Sequence, residues 1–174
     1  MTGRRYQQRF EKLLGEHRRV VFKVASVYAA DADDRDDLAQ EILVQLWRSF
    51  GSYDERRAKF STWLYRIALN VAISQLRYRR AALDGRTEPL RPHHLDTIAG
   101  EPVAERDERI KAMYAFIGEL DALNRALILL YLEDRSYAEI ADVLGITVTN
   151  VATKINRIKN RLRGRMTTAA AGGA

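Results

Sequence analysis

A row of short polar and cationic side chains recurs along residues 148–163, and many of them share one face of a helix. The row comprises Thr149, Asn150, Thr153, Lys154, Asn156, Arg157 and Lys159. Hydroxyl, amide and guanidinium groups of this kind hydrogen-bond to base edges and to phosphates. The pattern therefore indicates DNA binding, and the alternative is a solvated basic face on an ordinary surface helix.

The residues around this row predict a helix-turn-helix that presents it. Ser136 caps a first helix with Glu139 completing a capping box, and Gly145 ends that helix in the left-handed conformation that glycine adopts without a Cβ penalty. Thr147 then caps the second helix. Its predicted buried stripe consists of Val148, Val151, Ile155, Ile158 and Leu162. An ordinary pair of surface helices seldom combines all of these features.

The amino-acid composition limits which partners the protein can bind and which chemistry it can perform. The 174 residues carry a formal net charge of +6 with a pI near 9.7, which favours a polyanionic partner, either nucleic acid or a membrane surface. The absence of cysteine excludes disulfides, thiol nucleophiles and cysteine-ligated zinc. No stretch approaches the roughly 20 apolar residues of a membrane span, and no secretory signal opens the chain. We expect a cytoplasmic protein that is neither an enzyme nor dependent on a cofactor.

Residues 31–49 combine an acidic start with an amphipathic helix. The segment opens with five aspartates, Asp31, Asp33, Asp34, Asp36 and Asp37. Carboxylates at a helix start complement the helix dipole, whereas a metal site would need the spaced ligands and glycine of a calcium loop, which are absent. The predicted core positions are Leu38, Ile42, Leu46 and Trp47. The outward positions, Gln40, Glu41 and Gln45, form an acidic face that in a basic protein indicates a protein partner.

A second long helix is predicted from Ser61, its expected cap, to Arg80. Its predicted core positions are Trp63, Leu64, Ile67, Ala68 and Val71. The other side carries Arg66, Asn70, Ser74, Arg77, Arg79 and Arg80. Cations at a helix C-terminus are favourable by themselves, so part of this cluster needs no ligand to explain it.

The pattern predicts an all-α chain of two small helical domains joined by an extended linker. Residues 1–82 form the first domain and residues 109–166 the second, with a helix break expected at Gly118. The acidic linker, residues 83–108, contains all three prolines and lacks periodicity. The low-complexity tail, residues 167–174, is expected to be disordered.

Two stretches carry a resemblance to a known family. The stretch DLAQEILVQLWRSFGSYD, followed by FSTWLYRIALNVAISQLRYRR, resembles conserved region two of the extracytoplasmic-function (ECF) sigma factors, which are bacterial transcription initiation factors. The stretch LDALNRALILLYLEDRSYAEIADVLGITVTNVATKINRIKNRLR resembles their region four. The match covers nearly the whole chain in the right order.

The resemblance implies partners and site residues. Region two would dock on the β′ clamp helices of core RNA polymerase through Asp37, Gln40, Glu41, Leu46 and Trp47. The same region would melt and hold the minus-ten promoter element through Arg56, Arg57, Lys59, Arg66, Asn70, Arg77 and Arg80. Region four would read the minus-thirty-five element through Thr149, Asn150, Ala152, Thr153, Lys154, Asn156 and Arg157. The resemblance also implies contact with the polymerase β flap, an anti-sigma factor, no membrane insertion and no homo-oligomer.

Three positions depart from the family pattern. Ser74 stands where Asp is frequent, Ala152 where Arg or Lys is usual, and Thr149 where Gly is frequent. Promoter letters therefore do not transfer from relatives, and Ala152 could contact a thymine methyl group. Two other functions stay open at this point: a dimeric helix-turn-helix regulator of duplex DNA, and a sigma-like decoy that occupies polymerase without opening promoters.

Overall fold

The chain divides into two compact helical units, Met1–Gly85 and Arg86–Ala174. The computed structural model describes residues 3–84 and 108–172. The first unit contains α1 (Gly3–Tyr28), α2 (Ala32–Ser49), a short 3-10 turn (Phe50–Ser52) and α3 (Phe60–Leu83). The second contains α4 (Glu108–Glu119), α5 (Ala122–Leu132), α6 (Tyr137–Leu144) and α7 (Val148–Ala171). The predicted all-α, two-domain class is confirmed.

The predicted acidic linker, residues 83–108, lies outside the described residues except at its two ends. None of the described helices combines the length and the apolar character needed to cross a bilayer.

In the first unit, α1, α2 and α3 pack against one another around an aliphatic core. Val21, Val24, Leu38, Ile42 and Leu64 are fully buried in it. The helical spacing of apolar residues in each segment dictates this arrangement, because each helix has one stripe to bury.

An aromatic cluster closes one end of this core. It consists of Tyr6, Phe10, Trp47, Phe50, Tyr53, Phe60 and Trp63, with ring centroids 5.0–6.4 Å apart. His17 lies edge-on to Phe60 and its Nδ1 is 3.0 Å from the Leu13 carbonyl oxygen, so this histidine is a packed side chain.

Ser61 does not cap α3. The helix begins at Phe60, Lys59 occupies the cap position without a side-chain hydrogen bond, and Ser61 is buried. Phe60 belongs to the aromatic cluster, and its packing starts the helix before the serine.

In the second unit, α5 is the central helix and is apolar on nearly every side. Asp121 caps it, accepting a hydrogen bond from the Asn124 backbone N–H at 2.8 Å. The expected break at Gly118 falls slightly later, because α4 continues to Glu119. The buried Arg125 donates to the Gly118 and Leu120 carbonyl oxygens, so its guanidinium satisfies the end of α4.

Two predictions about α7 were wrong: where the helix ends, and the burial of Val148. The helix continues through residues 167–171 of the predicted disordered tail, where Thr167 and Thr168 donate to carbonyl oxygens one turn earlier. Val148 is 49% exposed rather than buried, whereas Val151 and Ile155 on the same face are fully covered.

The backbone of Gly145 supports a stability prediction. Gly145 has φ 68°, and a Cβ there would meet no atom within 4 Å, so Gly145→Ala carries the cost of the left-handed conformation alone. We expect a loss of about 1–2 kcal/mol in the free energy of unfolding of the second unit. Gly164→Ala is the matched control, because Gly164 lies inside α7 with open space around it and should gain about 0.5–1 kcal/mol.

Urea denaturation followed by circular dichroism measures both changes. Both tryptophans of the chain, Trp47 and Trp63, lie in the first unit, so the tryptophan fluorescence transition should not move. Equal effects of the two substitutions would contradict the assignment of strain to Gly145.

Candidate nucleic-acid and protein interfaces

The turn between α6 and α7 is fixed by three local devices, all predicted from the sequence and confirmed. Ser136 and Glu139 make both hydrogen bonds of the capping box, at 2.9 and 3.1 Å. Gly145 ends α6 in the left-handed region, and its N–H donates to the Ala141 carbonyl at 2.9 Å. Thr147 accepts a hydrogen bond from the Asn150 backbone N–H at 3.1 Å. These devices fix the direction in which α7 leaves the turn.

The predicted reading residues lie together on the exposed side of α7. Thr149, Asn150, Thr153, Asn156 and Arg157 are exposed, while Ala152 and Lys154 are partly covered. The opposite side is held by buried Val151, Ile155 and Ile158. The structure therefore brings all seven predicted minus-thirty-five residues onto one helix, and five of them are exposed.

Other cations of α7 are used within the second unit. The Lys159 ammonium lies 5.3 Å from the centroid of the Tyr131 ring and 3.4 Å from its hydroxyl. Arg161 and Arg165 stack over Phe116 of α4, and Arg165 pairs with Glu119 at 2.5 Å. The Arg165 hydrogen bond lowers the pKa of Glu119. These contacts tie α7 to α4 and α5.

A cleft of about 830 Å³ separates the outer sides of α2 and α3. From α2 it is lined by Asp37, Gln40, Glu41, Val44 and Gln45, and from α3 by Ile67, Asn70, Val71, Ser74 and Gln75. Asp37, Gln40, Glu41 and Val44 are exposed and follow the i, i+3, i+4, i+7 spacing of one helix face. The lining therefore combines the carboxylates of Asp37 and Glu41 with the apolar side chains of Val44, Ile67 and Val71.

The five predicted polymerase-binding residues differ in how accessible they are. Asp37, Gln40 and Glu41 line the cleft, whereas Leu46 is 0% exposed and cannot touch a partner; its side chain holds α2 against the core. Trp47 is 43% exposed and contacts Tyr6 and Phe10 edge-on, so it is only partly a core residue.

The basic loop before α3 presents its cations unequally. Arg56 folds back on Asp54, with hydrogen bonds of 3.0 Å from its backbone N–H and 3.1 Å from its guanidinium. These bonds lower the pKa of Asp54 and raise that of Arg56. Arg57 and Lys59 are exposed. Tyr53 packs in the aromatic cluster and anchors the loop.

The arginines at the end of α3 also divide into two kinds. Arg77 and Arg80 are exposed, and Arg66 further up the helix is half-buried. Arg79, which the sequence placed with them, turns inward: its guanidinium contacts the Asp34 carboxylate and donates to the Tyr28 carbonyl at 3.4 Å. Arg79 is therefore part of the scaffold.

Two of the five aspartates at the start of α2, Asp31 and Asp34, have structural partners. Asp31 accepts from the Asp34 N–H at 2.8 Å as the helix cap, and Asp34 accepts from the Ala30 N–H at 2.6 Å. Within the described part of the chain, no three His, Asp or Glu side chains are grouped so that they could hold a metal ion.

Sequence reasoning missed several surface residues. Val44 and Gln75 line the cleft. Ile67 and Val71 also line it, although the sequence pattern predicted both as core positions; they are only partly covered, and the Ile67, Asn70, Val71, Ser74 spacing indicates one shared helix face. Tyr78 is 77% exposed between Arg77 and Arg80. Exposed aromatic and cationic side chains in alternation are typical of surfaces that bind single-stranded nucleic acid.

Both halves of the chain match families of known proteins. Residues 13–82 match Sigma-70 region 2, and residues 110–162 match Sigma-70, region 4. The fold and the two matches define a transcription initiation factor of the sigma-70 class.

Similar proteins indicate which group within the sigma-70 class the chain resembles. The chain is 28% identical to ECF RNA polymerase sigma factor SigW of Bacillus subtilis, over 92% of this chain and 90% of that protein. It is 30% identical to RNA polymerase sigma-H factor of Pseudomonas aeruginosa, over 88% and 83%. A solved structure of CnrH in complex with the cytosolic domain of CnrY superposes with a TM-score of 0.65 at 26% identity, covering 93% of this chain and 90% of CnrH.

The chain belongs to the ECF sigma factors of bacterial RNA polymerase, as the sequence resemblance predicted. It is an alternative sigma factor that directs RNA polymerase in transcription initiation, and this function is favoured over a duplex-DNA regulator or a decoy.

Measurements of the free energy of unfolding test whether Arg79 is a structural residue and Arg77 is not. Arg79→Ala leaves the half-buried Asp34 carboxylate without its cation, and should lower the free energy of unfolding of the first unit by about 2 kcal/mol. Arg77→Ala removes the same charge from an exposed position and should change it by less than about 0.5 kcal/mol. Tryptophan fluorescence during urea denaturation reports this unit. Equal losses in the two variants would show that Arg79 is not a structural residue.

Proposed function

We propose that this sigma factor docks on core RNA polymerase through the cleft between α2 and α3. The observation that carries this proposal is the exposed acidic face of α2, Asp37, Gln40 and Glu41, on a protein whose net charge is +6. Carboxylates on such a chain repel DNA phosphates and favour a basic protein surface, which agrees with the family's docking on the β′ clamp helices. Val44, Ile67 and Val71 supply apolar area within the same cleft.

The minus-ten element is proposed to lie along the loop before α3 and along α3 itself. Arg57, Lys59, Arg77 and Arg80 are exposed cations suited to holding a phosphate backbone, and Arg66 and Asn70 complete the set. Arg56 contributes a weaker contact, because Asp54 already occupies its guanidinium. Asn70 lines the same cleft as Gln40 and Glu41, so the proposed DNA-binding surface and the proposed polymerase-binding surface of this protein meet at Asn70.

The minus-thirty-five element is proposed to bind α7. Thr149, Asn150, Thr153, Asn156 and Arg157 offer donors and acceptors to base edges in the major groove, and the capped turn supplies backbone amides near the phosphates. Ala152 and Lys154 flank this row.

Regulation by an anti-sigma factor is proposed by analogy with CnrH, whose structure contains the cytosolic domain of CnrY. The proposed site of action is the cytoplasm, where RNA polymerase meets the chromosome, and the proposed partners are core polymerase (the β′ clamp helices and the β flap), promoter DNA and one anti-sigma protein. No catalytic residue, cofactor or homo-oligomer is part of this proposal.

The deciding experiment combines the purified protein with sigma-free core RNA polymerase and a genomic promoter library, and sequences the transcript starts. Specific starts that share two upstream elements support the proposal and supply the promoter letters. Binding to core polymerase without specific transcription would indicate a decoy. No binding would contradict the docking proposal.

Docking is tested by charge reversal on α2. Replacing Gln40 and Glu41 with Lys should weaken holoenzyme assembly at least tenfold, because both side chains face the proposed partner and neither is buried. The matched control replaces Gln8 and Glu16, exposed residues of α1, with Lys, which makes the same change in net charge. Titration of labelled core polymerase measures the affinity, and equal weakening by the two double variants would argue against the α2 face.

Reading of the upstream element is tested at Arg157. Arg157→Ala should cost roughly 1–3 kcal/mol of promoter binding by the holoenzyme, with the loss concentrated at one base pair of the minus-thirty-five element. Arg163→Ala removes an exposed arginine six residues further along the same helix, beyond the seven reading residues, and should have a smaller effect that does not depend on sequence. Unchanged promoter binding by Arg157→Ala would remove this residue from the reading set.

A further inference from the structure

Val148 is the first residue of α7 and has an unusual position for an aliphatic side chain. The sequence pattern predicts it to be buried, yet 49% of it is exposed. The three residues next to it, Thr147, Thr149 and Asn150, are exposed and polar. Val148 shares a face with the buried Val151 and Ile155, so a large apolar side chain is exposed at the edge of the polar row proposed to enter the major groove.

Val148 is also aligned with Ala152, four residues later, on one side of the helix. Thr149 and Thr153 form the parallel row beside them. The start of α7 thus presents an apolar pair next to a polar row, and the two rows have different chemistry to offer a base pair.

The major groove contains one apolar group, the C5-methyl of thymine. A valine side chain can neither donate nor accept a hydrogen bond, so it contributes nothing to a phosphate or to the polar edge of a base. The first residues of a recognition helix are those that reach base edges in helix-turn-helix complexes. The position of Val148 at the start of α7 and its apolar side chain therefore both indicate a thymine methyl group as its contact.

We propose that Val148 determines promoter specificity by packing against a thymine methyl group in the upstream element. This inference rests on the proposed function and adds a residue to it, because Val148 is absent from the set of residues predicted to read that element. The contact makes the sigma factor prefer thymine over cytosine at one position, where a base without the methyl group leaves the valine exposed to water.

The test removes the methyl group alone. Holoenzyme is formed from the full-length protein and core polymerase on a promoter found by the transcript-start experiment. Each thymine of the upstream element, on either strand, is replaced singly by deoxyuridine, which keeps every hydrogen-bonding group. One such replacement should weaken promoter binding by wild-type holoenzyme about fourfold, the value expected for one buried methyl group.

Variants of Val148 assign that loss to its side chain. Val148→Ala should bind the unmodified promoter about fourfold more weakly and should lose its sensitivity to the same deoxyuridine. Val148→Ile keeps the apolar contact and should stay sensitive. Leu132→Ala is the matched control, because Leu132 is 47% exposed in the second unit but lies at the end of α5, outside the reading helix, and sensitivity should remain.

Two results would overturn the inference: wild-type holoenzyme that is indifferent to every deoxyuridine, or Val148→Ala that keeps the full wild-type sensitivity. Both presuppose a specific promoter complex. If the wild-type protein forms none, the proposed function itself fails, so the two failures are distinguishable.

Discussion

The functional surfaces of both units depend on how the polar groups at helix ends are satisfied. In the first unit the Asp34 carboxylate accepts from the Ala30 N–H, and it pairs with Arg79, which also donates to the Tyr28 carbonyl. This one carboxylate therefore joins the end of α1, the start of α2 and the end of α3. Helix-end groups left unpaired would be costly, so the pairing fixes the cleft between α2 and α3 and the direction of the cationic end.

In the second unit, local caps and tight turns satisfy helix-end groups. The capping box at Ser136, the left-handed Gly145 and the Thr147 cap act within a dozen residues of sequence. Arg125 adds the contact that sequence reasoning did not anticipate, closing α4 from the interior of α5. These devices fix the start of α7, and the contacts of Lys159, Arg161 and Arg165 hold the rest of the helix against α4 and α5.

Charge is unevenly distributed over the described surface. The acidic residues of the α2 face lie in a chain that is strongly basic as a whole, and the exposed cations lie on the loop, on the end of α3 and on α7. Some arginines take no part in this division: Arg79 serves the scaffold, and Arg161 and Arg165 cover Phe116. A count of basic residues along a helix therefore overstates its nucleic-acid surface, because arginine also packs and pairs well inside a protein.

The sequence by itself determined the helices, the caps at Ser136 and Thr147, the turn at Gly145 and the family, because these depend on local spacing and on residue types at fixed offsets. It placed the exposed polar row of α7 correctly for the same reason. Only the tertiary structure decided that Leu46 is inaccessible, that Arg79 turns inward, that Asn70 shares a cleft with Gln40 and Glu41, and that Val148 is exposed. Helical periodicity identifies a face, but what covers that face, and how far the cover extends along the helix, is set by neighbouring helices distant in sequence.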